Sequence, residues 1–363
     1  MSVDNHRSHL PLTLALLYAL CILYASLYPF IRWELPLPET PFWLFAPARF
    51  YRADFVVNFF AYLPFGFFIG LAGRRYRLWR ALLCGALLSL TMESCQWLMP
   101  PRSADLYDFF ANAAGAAVGG VVAWGLAMLS PLRDALYRWR RLFLSGWLGD
   151  FGLALLVFWL AAQANPGIPL FSIVFDPTVL AAVRPDNTVP FADARWSMMA
   201  EIVIGAFQIS GIGLFAALLV RDRRHAVLTA MALILAAFLL KNAAIWLTLS
   251  DAARVHYLGR TATWLALALG FFLLYVFFTL SRPKAVTVCA VILLSSLLAP
   301  LLLPDLLSAR TPSLLFNDRY AQLLHFDGLT RTILLGWPLA AGIWLFFLAG
   351  RPRWGEQGSE VRD

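Results

Sequence analysis

The sequence predicts an all-α fold, a polytopic transmembrane helical bundle of about ten spans, and three observations carry that prediction. Hydrophobic residues make up 61% of the 363-residue chain and charged residues only 14%. Apolar runs of about twenty residues, the length that crosses a bilayer core, recur from end to end. The short alternating segments of about ten residues that build membrane barrels are absent from the sequence. A net charge of +8 would suggest nucleic acid in a water-soluble chain. Here the basic residues sit in short clusters between apolar runs, where they set topology, so the reading is of no nucleic-acid partner.

The first run, residues 12–31, is longer than the core of a cleavable signal peptide and lacks a small-residue cleavage site, so it reads as an uncleaved first span. Further spans are predicted at 55–73, 81–99, 106–129, 147–164, 198–220, 226–249, 261–281, 285–303 and 331–349. Basic clusters at 74–80, 133–141, 221–224, 282–284 and 351–353 all fall on one side when both termini are cytoplasmic. That side then holds the majority of the Lys and Arg, which favours this orientation. The outward segments become the longer ones, 32–54, 166–197 and 304–330, rich in Pro, Trp and Phe. Residues 41–46 are expected along the outer interface, where aromatic rings are favoured. The basic link 131–143 separates a four-span front domain, 1–143, from a six-span rear domain, 144–363. Cys21, Cys84, Cys95 and Cys289 fall inside apolar runs without paired spacing, which indicates neither disulfides nor a zinc site.

The informative region lies between Asp54 and Gly120, where three successive spans carry polar residues at one height. Glu93 stands thirteen residues beyond Arg80, about 20 Å along a helix rising about 1.5 Å per residue, in the outer part of the third span. Gln96 follows one turn further out. Asp54 marks the outer mouth of the second span and Asn58 lies one turn below. Asp105, Asp108 and Asn112 descend the fourth span at helical spacing. A carboxylate at such depth costs on the order of 2.5 to 3.5 kcal/mol and normally faces a partner or a water-filled cavity. Arg102, in the Pro100-Pro101-Arg102 link above them, can pair with a carboxylate or grip a phosphate with both arms of its guanidinium. Ala111, Gly115 and Gly119 give the fourth helix a surface for close approach, and Pro64 with Gly66 can loosen the second. Taken singly, each of these residues has an ordinary structural reading: amides bonding across helices, Arg102 closing a loop with Asp105, glycines that only pack. Asp54, Glu93, Asp108 and Arg102 at one level read instead as ligand-facing.

This stretch resembles the VanZ-like family of bacterial membrane proteins. The resemblance rests on Asn58, Pro64 and Gly66 in one helix, Glu93 and Gln96 in the next, the link with Arg102, Asp105 and Asp108, and Asn112 with Gly115. It implies a bacterial cytoplasmic-membrane protein of the cell envelope, in a family associated with low-level resistance to the glycopeptide teicoplanin. The rear domain lies outside it.

Three functions compete. In the first, Asp54, Asn58, Glu93, Gln96, Arg102, Asp105, Asp108 and Asn112 bind an anionic or sugar-bearing amphiphile, a membrane lipid or a lipid-linked envelope intermediate. In the second, the chain is an enzyme with Glu93 as general base or with carboxylates holding Mg²⁺. No HExxH, nucleophile elbow or phosphate-cradling loop supports it, and His256 and His325 read as solvated loop residues. In the third, a transporter would use Glu93, Glu201 and Lys241, and the layout from Ile209 to Asn242 would be an echo of that from Pro64 to Glu93. No cofactor and no resident metal is expected.

Overall fold

The computed structural model describes residues 8–28, 30, 33–35, 42–45, 50–73, 75, 77–99, 104–166, 168, 170–172, 194–248, 261–302 and 324–350. In chain order the helices are α1 (Leu10–Leu27), α2 (Arg52–Ala72), α3 (Arg77–Trp97), α4 (Leu106–Met128), α5 (Ser130–Arg141), α6 (Gly146–Ala162), α7 (Ala194–Leu219), α8 (Arg223–Thr248), α9 (Thr261–Phe278), α10 (Arg282–Leu302) and α11 (Leu324–Ala349), with a 3₁₀ turn at Trp43–Phe45. Each of the ten apolar runs carries a helix. Eight of the helices are long and apolar enough to cross a membrane, and α6, at 17 residues, falls just short. Large apolar side chains such as Phe60, Leu87, Leu235, Phe272 and Phe346 lie on the outside of their helices. That is the expected pattern where the surrounding solvent is lipid.

The chain divides into two compact units, Met1–Arg141 with Ser145–Asp150, and Leu142–Leu144 with Phe151–Asp363. In the first unit α4 packs along both α2 and α3, and α1 lies against α2 and α3. The α2–α4 pairing is close because both helices present small residues. A side-chain carbon on Gly66 would collide with the Ala116 carbonyl oxygen, and one on Gly115 with that of Phe59. Helix α2 runs unbroken through Pro64. Tyr18 of α1 donates to the Ala61 carbonyl at 3.0 Å, a polar tie between α1 and α2. The Trp43 turn, expected along the lipid interface, is folded inward. Trp43 is 2% exposed, donates to Ser94 Oγ at 3.3 Å and stacks near Phe109.

At the other end of this unit a buried carboxylate collects three chain segments. Asp150, 1% exposed, accepts from the Ser8 hydroxyl at 2.6 Å, the His9 backbone N–H at 2.7 Å and the Arg140 guanidinium at 2.6 Å. His9 is the N-cap of α1 and lacks a side-chain cap of its own. Asp150 supplies the missing acceptor, and its negative charge suits a helix N-terminus.

In the second unit α7 is the central element, packed by α8, α9 and α10, with α11 against α10. Phe215 of α7 stacks on Trp337 and Trp344 of α11. The last-turn carbonyls of α7 and α9, which have no helical partner, are met by arginines: Arg282 donates to the Leu218 carbonyl at 2.9 Å and Arg223 to that of Phe278. After α6 the backbone leaves helical geometry while still buried, so its polar groups need partners from side chains. Phe171 N–H meets Gln163 Oε1 at 3.1 Å, and the Ser172 carbonyl accepts from Trp159 and Gln163. Lys241 of α8, 0% exposed, donates to the carbonyls of Asn165 and Ile168. Phe171 sits at φ 62°, a left-handed conformation that a bulky residue adopts only when its surroundings compel it. Cys21, Cys84, Cys95 and Cys289 are all unpaired.

Candidate functional site

Helical spacing delivers polar residues in layers along the seam of α2, α3 and α4. Asn58, Glu93 and Asp108 form one layer, and one turn deeper on the same three helices lie Tyr62, Ser89 and Asn112. Burial deepens along the seam. Asp54 is exposed, Asn58, Asp105 and Asp108 are half-buried, and Glu93, Tyr62 and Asn112 are each 3% exposed with Ser89 at 0%.

The upper layer is a meeting of carboxylates. Asp105 caps α4, its Oδ1 accepting from Tyr107 N–H at 2.7 Å. Its own N–H donates to Glu93 Oε2 at 3.0 Å, so the start of α4 is clipped to the side of α3. Asp108 lies within electrostatic reach of Glu93, Asp105 and Asp54, and within hydrogen-bonding reach of the Asn58 side chain. Among the described residues no three carboxylate, imidazole or thiol groups converge as a metal-holding set. Arg102, the cation expected above the carboxylates, lies outside the described residues, as does His256.

Asn112 Nδ2 donates to Ser89 Oγ at 2.9 Å while its Oδ1 has no hydrogen-bond partner among the described residues. Whichever way the amide is turned, one end engages Ser89 and the other is left over. The Tyr62 hydroxyl is beside Ser89 and within electrostatic reach of Glu93, yet no described group closes a bond of normal geometry on it. Buried polar groups are nearly always paired, so two leftovers in one layer mark an unusual spot. One turn below, the seam closes. Ala116, 0% exposed, is clamped where side-chain carbons on Gly66 and Gly85 would collide with it. Aromatic rings gather at the Asp54 end, with Phe42 near Trp97, Trp43 near Phe109, and Phe50 near Tyr107.

Of the residues singled out from the sequence, Asp54, Asn58, Glu93, Asp105 and Asp108 come together, and Asn112 lies a turn beneath them. Gln96 does not join them, because its Nε2 reaches across to the Ser26 carbonyl of α1 at 3.0 Å. Sequence reasoning missed Tyr62 and Ser89, although their i+4 and i−4 spacing from Asn58 and Glu93 was a usable signal.

The VanZ/LLP1 family model matches residues 12–129. This N-terminal region is VanZ-like. The match covers α1 through α4, roughly a third of the chain, and includes every residue of the layered seam. No curated protein and no solved structure matches the chain.

Proposed function

We propose that the VanZ-like region binds the headgroup of an amphiphile, glycan-bearing or anionic, in the layered seam of α2–α4, and that the chain serves the bacterial cell envelope. The protein sits in the cytoplasmic membrane with both termini inside, and the Asp54 end of the seam faces the periplasm. The observation that carries this reading is the convergence of Asp54, Glu93, Asp105 and Asp108 from three helices above two buried polar atoms that have no partner among the described residues. Carboxylates and amides accept hydrogen bonds from the hydroxyls of a sugar, while Arg102 is assigned to a phosphate at the mouth. The aromatic rings at the Asp54 end suit the boundary between headgroup and acyl chain. A floor closed by Ala116 favours docking over passage, which argues against transport through this unit. A lipid-linked envelope intermediate fits these requirements, and the teicoplanin resistance associated with the family would follow from holding such a species.

The test is to purify the full chain from native membrane and identify the retained lipids by mass spectrometry, wild type against Glu93→Gln and Asn58→Ala. A glycan-bearing or phosphate-bearing lipid is expected to be enriched with the wild type and depleted several-fold with each variant. Equal retention by all three proteins would remove the seam from the function. An enzyme reading keeps one favourable observation: Glu93 Oε2 is engaged by Asp105 N–H, and the second oxygen remains for a substrate proton. Turnover of the retained lipid by the wild type but not by Glu93→Gln separates catalysis from binding.

A further inference from the structure

The basic stretch between the fourth and fifth apolar runs folds as the twelve-residue helix α5, about 18 Å long, with no buried residue. Its sequence segregates by face. Leu132, Ala135, Leu136 and Trp139 recur at i, i+3, i+4 and i+7, the spacing of a single apolar stripe, and all four are exposed. Arg138 and Arg141 lie one turn apart on another face, both exposed and neither with a partner among the described residues. Arg133 is neutralised by Asp134 at 3.3 Å and Arg140 by Asp150 at 2.6 Å.

Both ends of α5 adjoin the ends of apolar helices. Its first residue follows the end of α4 by a single residue, Leu129. Its last turn is tied through Arg140 to Asp150 and Ser8, beside the N-terminus of α1. An amphipathic helix lying in a bilayer surface places its apolar stripe in the acyl boundary and its arginines among headgroups.

We propose that α5 is an interfacial helix that binds anionic lipid headgroups through Arg138 and Arg141, with Leu132, Leu136 and Trp139 seated among the acyl chains. Charge complementarity selects the occupant: two guanidiniums in one turn, without partners among the described residues, match lipid phosphates that carry a net negative charge, and the apolar stripe on the far side of the same helix requires that the phosphate belong to a membrane. The helix C-terminus, with its partial negative charge, holds both arginines in place. This proposal does not depend on the α2–α4 seam.

The experiment reconstitutes the full chain in vesicles of equimolar phosphatidylglycerol and phosphatidylcholine and measures, by native mass spectrometry, the ratio of the two lipids that stay bound. The wild type is expected to prefer phosphatidylglycerol, and Arg138→Gln with Arg141→Gln to lower that preference by roughly fivefold per arginine replaced. Arg133→Gln, whose partner is Asp134, serves as the control and leaves the ratio nearly unchanged. Hydrogen exchange over residues 130–141 provides a second reading, slower in phosphatidylglycerol vesicles than in phosphatidylcholine alone for the wild type. An unchanged lipid ratio in the double variant overturns the proposal, as does an equal loss in the Arg133→Gln control, which would mean diffuse charge rather than a site. Equal exchange rates in the two vesicle types would also overturn it.

Discussion

Glu93 has two tasks at once, one oxygen accepting from the peptide N–H that opens α4 and the carboxylate as a whole facing Asp108. The two tasks separate by substitution. Glu93→Gln keeps an acceptor for Asp105 N–H and is expected to hold the fold while removing the ionisable group. Glu93→Ala leaves that N–H unpaired and should cost about 1–3 kcal/mol, read as a lower unfolding temperature in detergent. Asp222, in the link before α8, accepts from Arg224 N–H at 3.2 Å and lies 3.0 Å from His225 Nδ1. The Arg224 N–H first, then His225, holds its carboxyl below the usual aspartate value. A depressed carboxyl contributes stability above its unfolded pKa and loses it as pH falls through the folded one. These contacts are therefore intact at neutral pH and lost at pH below the ordinary aspartate range. Asp222→Asn should flatten that part of a pH–stability profile. At this scale the sequence was informative where depth alone made a residue costly, as for Glu93. It was uninformative where direction mattered. Gln96 shares the helix and nearly the face of Glu93, but a long side chain chooses among neighbours that only packing reveals, and it chose Ser26.

Helices were legible because twenty apolar residues in a row leave a backbone no partners but its own, and every predicted run became one. The exception is α5. Its four-residue apolar stripe is short and interrupted by arginines, so the stretch read as a basic link, although i, i+3, i+4, i+7 spacing was present. The close approach of α2 and α4 was foreshadowed by Gly115 and Gly119, and it makes Gly66 intolerant. Gly66→Leu must push the Ala116 backbone away and is expected to destabilise by about 1–3 kcal/mol or more, with α2 and α4 splayed and the Asn58–Asp108 layer parted. Loss of retained lipid together with a lowered unfolding temperature is the anticipated pair of readouts. In α8 the Lys241 ammonium meets the Asn165 and Ile168 carbonyls, so Lys241→Met is expected to cost about 1–3 kcal/mol for each carbonyl left unpaired, checked by thermal unfolding.

Across the whole molecule, the border between the two compact units runs through α6, whose first residues Gly146–Asp150 group with the first unit. Composition could not foresee this, because a continuous apolar helix carries no mark of which neighbours it will serve. Orientation is testable at this scale. Reporter fusions after residue 75 are expected to be active in the cytoplasm and those after residue 104 in the periplasm; the reverse pattern would invert every statement about which side the seam faces. The Asp150 junction has a further bearing on biogenesis. The acceptor that completes the start of α1 is encoded 141 positions after His9, so α1 waits, incompletely secured, until α2 to α5 and the first turn of α6 have been synthesised. Nascent chains truncated before Asp150 should therefore expose their N-terminal segment to proteases, and those extended past it should become resistant in a single step.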